Sequence, residues 1–389
     1  MIRKLAILGI LLLGVASSAW AARRVTVQQL DLLLDEYKGQ SDGKVASQLL
    51  ELTLTERATS SRLTQWEKKF PGRHCHEVLV ALVDASSFLE LPESEKLPTP
   101  NPSPEEARAI LEKTIAYVNE TGTRLPNFLA TRKTEYYEDN PPTQSSHVDN
   151  GMSNVIGRRG AYSVPSVSQS STSNLPIHIV NHATESVSYR DGYEIRGTKR
   201  LDPSQMIQPG MGLTTVGEFG PILNVVFPDA IRNKMYWGYW EQGVNGVEAV
   251  FRYKVLAADS HYMVKMPKGT QMESIVPAYH GEIAIDPTTG AIMRISVIAD
   301  LVPPYELVNE AIMVDYGSVP LGGSSYICPV KGVAMAVMPM GDPTSDAVAI
   351  QTQLNDVAFT DYHLFRSESR ILPATETGSD APPPAAPPQ

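Results

Sequence analysis

From about residue 177 to 372 the chain alternates apolar and polar side chains with a period of two, and this alternation constrains the fold more than any other feature of the sequence. The stretch YHGEIAIDPTTGAIMRISVIA shows it best. Tyr279, Gly281, Ile283 and Ile285 share one face with Met293, Ile295 and Val297, while Glu282, Arg294 and Ser296 take the other, around a turn at Pro287 to Gly290. One face should be dry and the other wet. Further strands are predicted over 187–197, 235–241, 247–256, 261–266, 312–316, 326–335 and 349–365, with one helix over 218–232 between them. The pattern describes a long antiparallel meander.

Upstream the period is helical. Leu30, Leu33, Leu34 and Tyr37 fall at i, i+3, i+4 and i+7 behind Thr26 and Gln29, which have capping-box spacing, and Gly39 follows as a stop. Three more helices are predicted over 45–52, 56–70 and 76–89, the last with the strongly apolar middle VLVALVDASSFL. Together they form a helical unit over 23–91. A proline-rich linker over 92–103 ends it, and Ser103, Pro104 and Glu106 then supply an N-cap, a proline at the first helical position and a capping carboxylate. The helix that follows carries Ala107, Ile110, Leu111, Thr114 and Val118 on one face, and LPNFLATRKTEYYED reads as a strand over 127–138. It opens a sheet domain spanning 104–372. Residues 139–175, rich in Ser, Pro, Asn and Gln, are expected to form a disordered insertion, and 373–389 a disordered proline-rich tail.

Residues 1–22 combine Arg3 and Lys4, an apolar run from Leu5 to Val15, and Ala19 and Ala21 at the positions a signal peptidase reads. They predict export to the periplasm or beyond. No later stretch approaches the roughly 18 apolar residues of a membrane span, and no cysteine follows the apolar run to carry a lipid. Without the leader's two cations the formal net charge moves from −10 to about −12, which argues against a nucleic-acid partner. Cys75 and Cys328 are the only cysteines; a disulfide between them stays open, and two cysteines do not make a zinc site of the Cys-x-x-Cys kind.

The segment MYWGYWEQGVNGVEAVFRYKV, residues 235–255, concentrates aromatic side chains in a hairpin turning at Asn245-Gly246. Plain alternation puts Met235, Trp237 and Tyr239 on one face of the first strand, and Tyr236 and Trp240 on the other. The second strand has Val247, Ala249, Phe251, Tyr253 and Val255 on one face, with Glu248, Arg252 and Lys254 opposite. Aromatic groups on both faces need apolar cover on both. Either protein supplies both covers, or a ligand or partner supplies one. Trp237, Tyr239, Trp240 and Phe251 are therefore the candidate ligand-binding residues, supported by the methionine-rich AMAVMPM at 334–340.

Other chemistry finds less in the sequence. His74, His76 and Glu77 open a predicted helix, and His178 and His182 lie on an extended segment, so neither set converges as a metal site. There is no Gly-x-Ser-x-Gly elbow, no phosphate-cradling loop and no dinucleotide fingerprint. Ser324 and Ser325 follow a glycine pair in what reads as a hairpin turn, and His280 and Asp315 would complete a triad with them only by chance. No metal, cofactor or enzymatic activity is expected.

The order of helix, strand and long meander broken by a second helix, over 104–372, resembles the half-barrel fold shared by the periplasmic outer-membrane lipoprotein carrier protein and a related envelope-stress regulator. That resemblance implies an apolar cavity partly plugged by helices, and no family binding residue maps to a position here. Phrases such as RLPNFLATRKT, FRYKVLAADSHYMV and YICPVKGVAM also resemble a family of exported bacterial proteins, which implies export and a two-part architecture. The reading is an α+β protein: a small N-terminal helical unit plus a curved, half-barrel-like antiparallel sheet packed with two helices. Its expected role is a non-enzymatic cell-envelope module that binds an apolar, lipid-like small molecule or an envelope protein on the concave face. The alternative is an adaptor whose helical unit docks a partner while the sheet serves as scaffold.

Overall fold

The computed structural model describes residues 22–140, 152–157, 160–165, 175–190, 193–196, 199–200, 221–268, 271–301, 309–340 and 349–364. The leader and tail lie outside these residues. The N-terminal unit holds β1 (Arg23–Val25), α1 (Val27–Glu36), α2 (Asp42–Leu49), β2 (Leu52–Leu54), α3 (Ser60–Lys69) and α4 (Arg73–Ala85). Thr26 Oγ1 accepts from the Gln29 amide at 3.1 Å and Gln29 Oε1 accepts from the Thr26 amide at 2.9 Å, the reciprocal cap expected for α1. Residues 52–54, starting on the last residue of the helix predicted over 45–52, pair in parallel with Arg23–Val25. This tie closes the unit around Leu30, Leu34, Trp66 and Leu79.

The remaining elements are α5 (Pro104–Arg124), β3 (Phe128–Asn140), β4 (Met152–Gly157), β5 (Gly160–Pro165), β6 (Leu175–Arg190), β7 (Tyr193–Arg196), β8 (Lys199–Arg200) and α6 (Pro221–Arg232). They continue with β9 (Lys234–Gln242), β10 (Val247–Val255), β11 (Val264–Lys268), β12 (Gln271–Ile275), β13 (Ala278–Ile285), β14 (Ile292–Asp300), β15 (Asn309–Leu321), β16 (Ser324–Met340) and β17 (Ala349–Leu364). Eleven strands form one sheet in the order β8-β7-β6-β3-β17-β16-β15-β14-β13-β10-β9. It is antiparallel, curved and not closed, so the molecule is α+β. The stretch predicted as one strand over 187–197 is split between β6 and β7, because the chain reverses between Arg190 and Tyr193. Within the expected insertion, β4 and β5 pair as a hairpin, and 141–151 and 166–174 lie outside the described residues.

Helices α5 and α6 cover one face of the sheet. Ile110, Ile222, Val226 and Phe227 pack there with Phe251, Tyr253, Tyr279, Ile283, Ile295 and Val314. The N-terminal unit covers the opposite face. Val80 and Ala81 of α4 meet Tyr137, Met313, Val333 and Leu354, and Leu91, at the end of the unit, meets Tyr239, Val250 and Ala284. The face expected to be wet is therefore an interface. Residues 78–83 of α4 are apolar all round because Leu79 and Leu82 turn into its own unit while Val80 and Ala81 turn onto the sheet. A further core, with Phe128 stacked on Tyr189 at 5.2 Å beside Val319, Cys328 and Phe359, fills the far wing.

The proline-rich linker is a strap across the sheet's last strand. The Leu97 amide donates to the Trp240 carbonyl at 2.9 Å, Trp240 Nε1 donates to the Pro100 carbonyl at 2.9 Å, and Trp237 Nε1 donates to Asn101 Oδ1 at 3.1 Å. Such cover blunts an edge that would otherwise offer unpaired backbone to another chain.

Candidate functional site

The sheet splits between β14 and β15. Their pairing runs from Ile298↔Ala311 to Arg294↔Asp315 and stops, whereas β15 continues beside β16 to Leu321↔Ser324. A register shift between Asp315 and Tyr316 marks the point of divergence. Across the opening, the β13–β14 turn is held on α5. Lys113 Nζ donates to the Pro287 carbonyl at 3.2 Å, and Gly290, at φ +78°, lies so close that a Cβ there would come within 2.6 Å of the Lys113 carbonyl carbon.

Charged side chains fill the interface beside this fork. Arg57, in the loop before α3, donates to Glu241 Oε2 at 2.5 Å and to the Tyr239 hydroxyl at 3.2 Å. Arg294 lies 2.6 Å from the other oxygen of Glu241. Burial disfavours the Glu241 charge, but the Arg294 and Arg57 guanidiniums outweigh it and hold the carboxyl below its ordinary range. Lys331 on β16 reaches Asp84 of α4 at 2.6 Å and Asp356 on β17 at 3.3 Å. Burial, reinforced by Asp356, pushes the Asp84 carboxyl up. The unit is thus fixed to the sheet by Arg57 on one side and Asp84 on the other.

Two adjoining cavities open at the fork. The inner one, about 380 Å³, lies between the N-terminal unit and the sheet and is lined by Arg57, Glu241, Glu248, Arg294, Asp315 and Lys331 among others. The outer one, about 860 Å³, lies beneath the end of α5 and has Val247, Ala291, Met293 and Ile327 on its walls. Glu248 and Met293 line both. Glu248 is only 7 % exposed, and its carboxylate occupies the space a side chain at Gly243 would fill, with Oε1 1.8 Å from where that Cβ would sit. Burial and the neighbouring Glu241 push the Glu248 carboxyl up to about 7. Burial also raises Asp315.

The four aromatic candidates divide between the two faces. The register passes from Val250↔Tyr239 to Phe251↔Trp237, so Gly238 is an extra residue on β9 and the alternation shifts there. Trp237 and Trp240, predicted on opposite faces, lie together with ring centroids 4.8 Å apart, and Trp237 packs edge-on against Phe251 at 5.5 Å. This trio is covered by helices and strap. Tyr239 faces the N-terminal unit, where its hydroxyl donates to Glu282 Oε2 at 2.7 Å. A second shift, between Ala284 and Ile285, places Ile292 rather than Met293 in the core under the helices and leaves Met293 on the cavity walls.

Comparison with protein-family models, curated proteins and solved structures finds no match. The half-barrel resemblance therefore rests on the order of elements alone.

The serine, histidine and aspartate weighed as a triad are placed apart. Ser325 Oγ lies 2.5 Å from Ser318 Oγ, His280 Nδ1 lies 2.8 Å from Asp300, and Asp315 lines the inner cavity. Cys75 and Cys328 are unbonded and buried in different cores. Among the described residues no group of three or more His, Cys, Asp or Glu side chains is placed to hold a metal ion, and no helix is long and apolar enough to cross a membrane. Sequence alternation gives Glu248 and Arg294 only as polar-face residues and does not single out Glu241. The signal that could have singled them out is the density of charge on one face of central strands in a chain that also carries a helix with an apolar-all-round middle.

Proposed function

We propose that the chain is an exported, non-enzymatic binding protein that holds a small amphipathic molecule in the cleft at the fork of its sheet. The observation that carries this reading is the cleft itself. At about 860 Å³ the outer cavity falls in the roughly 300–1,000 Å³ range of small-molecule sites. Its lining mixes apolar groups with about as many polar ones, and it adjoins charged groups that folding has fixed in place. Export rests on the leader sequence. The face that carries Trp237, Trp240 and Phe251 is a weaker candidate, since α5, α6 and the strap occupy it. The adaptor reading has less support, because α4 commits its outer surface to the sheet.

Ser325→Trp tests the proposal, since this exposed position lines the outer cavity and an indole there would fill it. Native mass spectrometry of the mature protein from an envelope fraction should show a retained small molecule that the variant lacks. A mature protein that retains nothing, and whose small-molecule binding by titration is unchanged by Ser325→Trp, would rule the cleft out.

A further inference from the structure

The ion pairs of the inner cavity leave two carboxylates over. Its walls carry Asp84, Glu241, Glu248 and Asp315 against Arg57, Arg294 and Lys331. Glu241 takes both arginines, and Lys331 is shared by Asp84 and Asp356. Neither Glu248 nor Asp315 has a hydrogen bond or ion pair among the described residues, but Asp315 lies in register between Arg294 and Lys331, whose charges offset its own, so Glu248 is the less compensated of the two. Glu248 is directly opposite Glu241 in the register, so folding sets like charges side by side and gives the arginines to only one of them. Glu248 is 93 % buried as a residue, and its carboxylate, with no protein partner, lines the cavity, where a ligand cation would satisfy it.

Resting on the cleft reading above, we propose that the site selects amphipathic cations: an ammonium group lies between Glu248 and Asp315, and an apolar portion lies outward over Val247, Ala291, Met293 and Ile327. A compact ammonium can donate to both carboxylates. A metal ion fits less well, given that no set of three acidic or histidine ligands converges there. The arginines are already held by Glu241, so an anionic ligand would meet the Glu248 carboxylate with no cation free to offset it.

The test uses the full mature chain and three probes that share an apolar tail: octylamine, octanol and octanoate, titrated calorimetrically at pH 8. At that pH Glu248 is ionised, with Glu241, Arg57, Arg294 and Asp315 facing it from β9, the loop before α3, β14 and β15. Octylamine should bind about tenfold or more tightly than octanol, and octanoate more weakly than either. Glu248→Gln and Asp315→Asn should each bring octylamine close to octanol, with an unchanged circular dichroism spectrum reporting an intact fold. Equal affinity for octylamine and octanol in the wild type would overturn the cation assignment and leave the cleft reading standing. Probe binding that Ser325→Trp does not alter, or no binding of any probe, would remove both.

Discussion

Glu248 and Glu241 are cross-strand partners, yet their carboxyls move in opposite directions, one up to about 7 through burial and its neighbour's charge, the other down through Arg294 and Arg57. A carboxyl raised on folding keeps its proton in the native state over a window where the unfolded chain has lost it. Its contribution to stability therefore falls as pH rises from the ordinary glutamate range to about 7, and is constant above and below that window. Glu248→Gln removes the effect. In urea unfolding the variant should match wild type at pH 4 and exceed it by about 2–3 kcal/mol at pH 8; a difference that does not grow with pH would show that the carboxyl is not held up. The sequence placed Glu248 on the correct face of β10 and assigned that face to water. Nothing local reveals that Leu91 and Arg57 come to cover it, because that cover is a tertiary event between distant segments.

At the level of elements, caps and hairpins were legible and phase was not. The Thr26 box, the Ser103–Glu106 cap and the β13–β14 turn follow from side-chain types at fixed spacing. Bulges at Gly238 and near Ile285 moved Trp240 and Met293 to the face opposite the one alternation assigns, since one extra residue inverts every later position on a strand. The strap over β9 is likewise invisible in composition: proline content reads as a loose connector, whereas the Trp237 and Trp240 indoles give that connector fixed hydrogen-bond donors. Replacing both tryptophans by phenylalanine should reduce stability by about 1–3 kcal/mol, at about 0.5–1.5 kcal/mol for each hydrogen bond lost. Hydrogen exchange should quicken at the Leu97 amide while β13 and β14 keep their protection. Protection unchanged at Leu97 would mean that the indole bonds do not hold the strap.

For the molecule as a whole, the helical period upstream and the period of two downstream were readable, and the dependence of one part on the other was not. The unit has its own core, but the sheet face beneath it carries Tyr239, Val250, Met313 and Leu354 together with Glu241 and Arg294. Deleting residues 23–102 would expose that apolar surface and strip Glu241 of Arg57. The truncated chain should associate or precipitate under conditions where the intact protein is monodisperse by light scattering; a monodisperse, cooperatively unfolding truncation would show the domains to be independent. The contact that joins them also has a bearing on the order of events in folding. Arg57 meets Glu241 across 184 positions of chain, so the helical unit can be complete long before its counterpart has left the ribosome. Closing so long a loop is slow, and until it closes β9 lacks both its strap and its cover. The interval between those two moments is when this protein is most exposed to pairing with a neighbour, and a chaperone that shields β9 during that interval would act where the fold is most vulnerable.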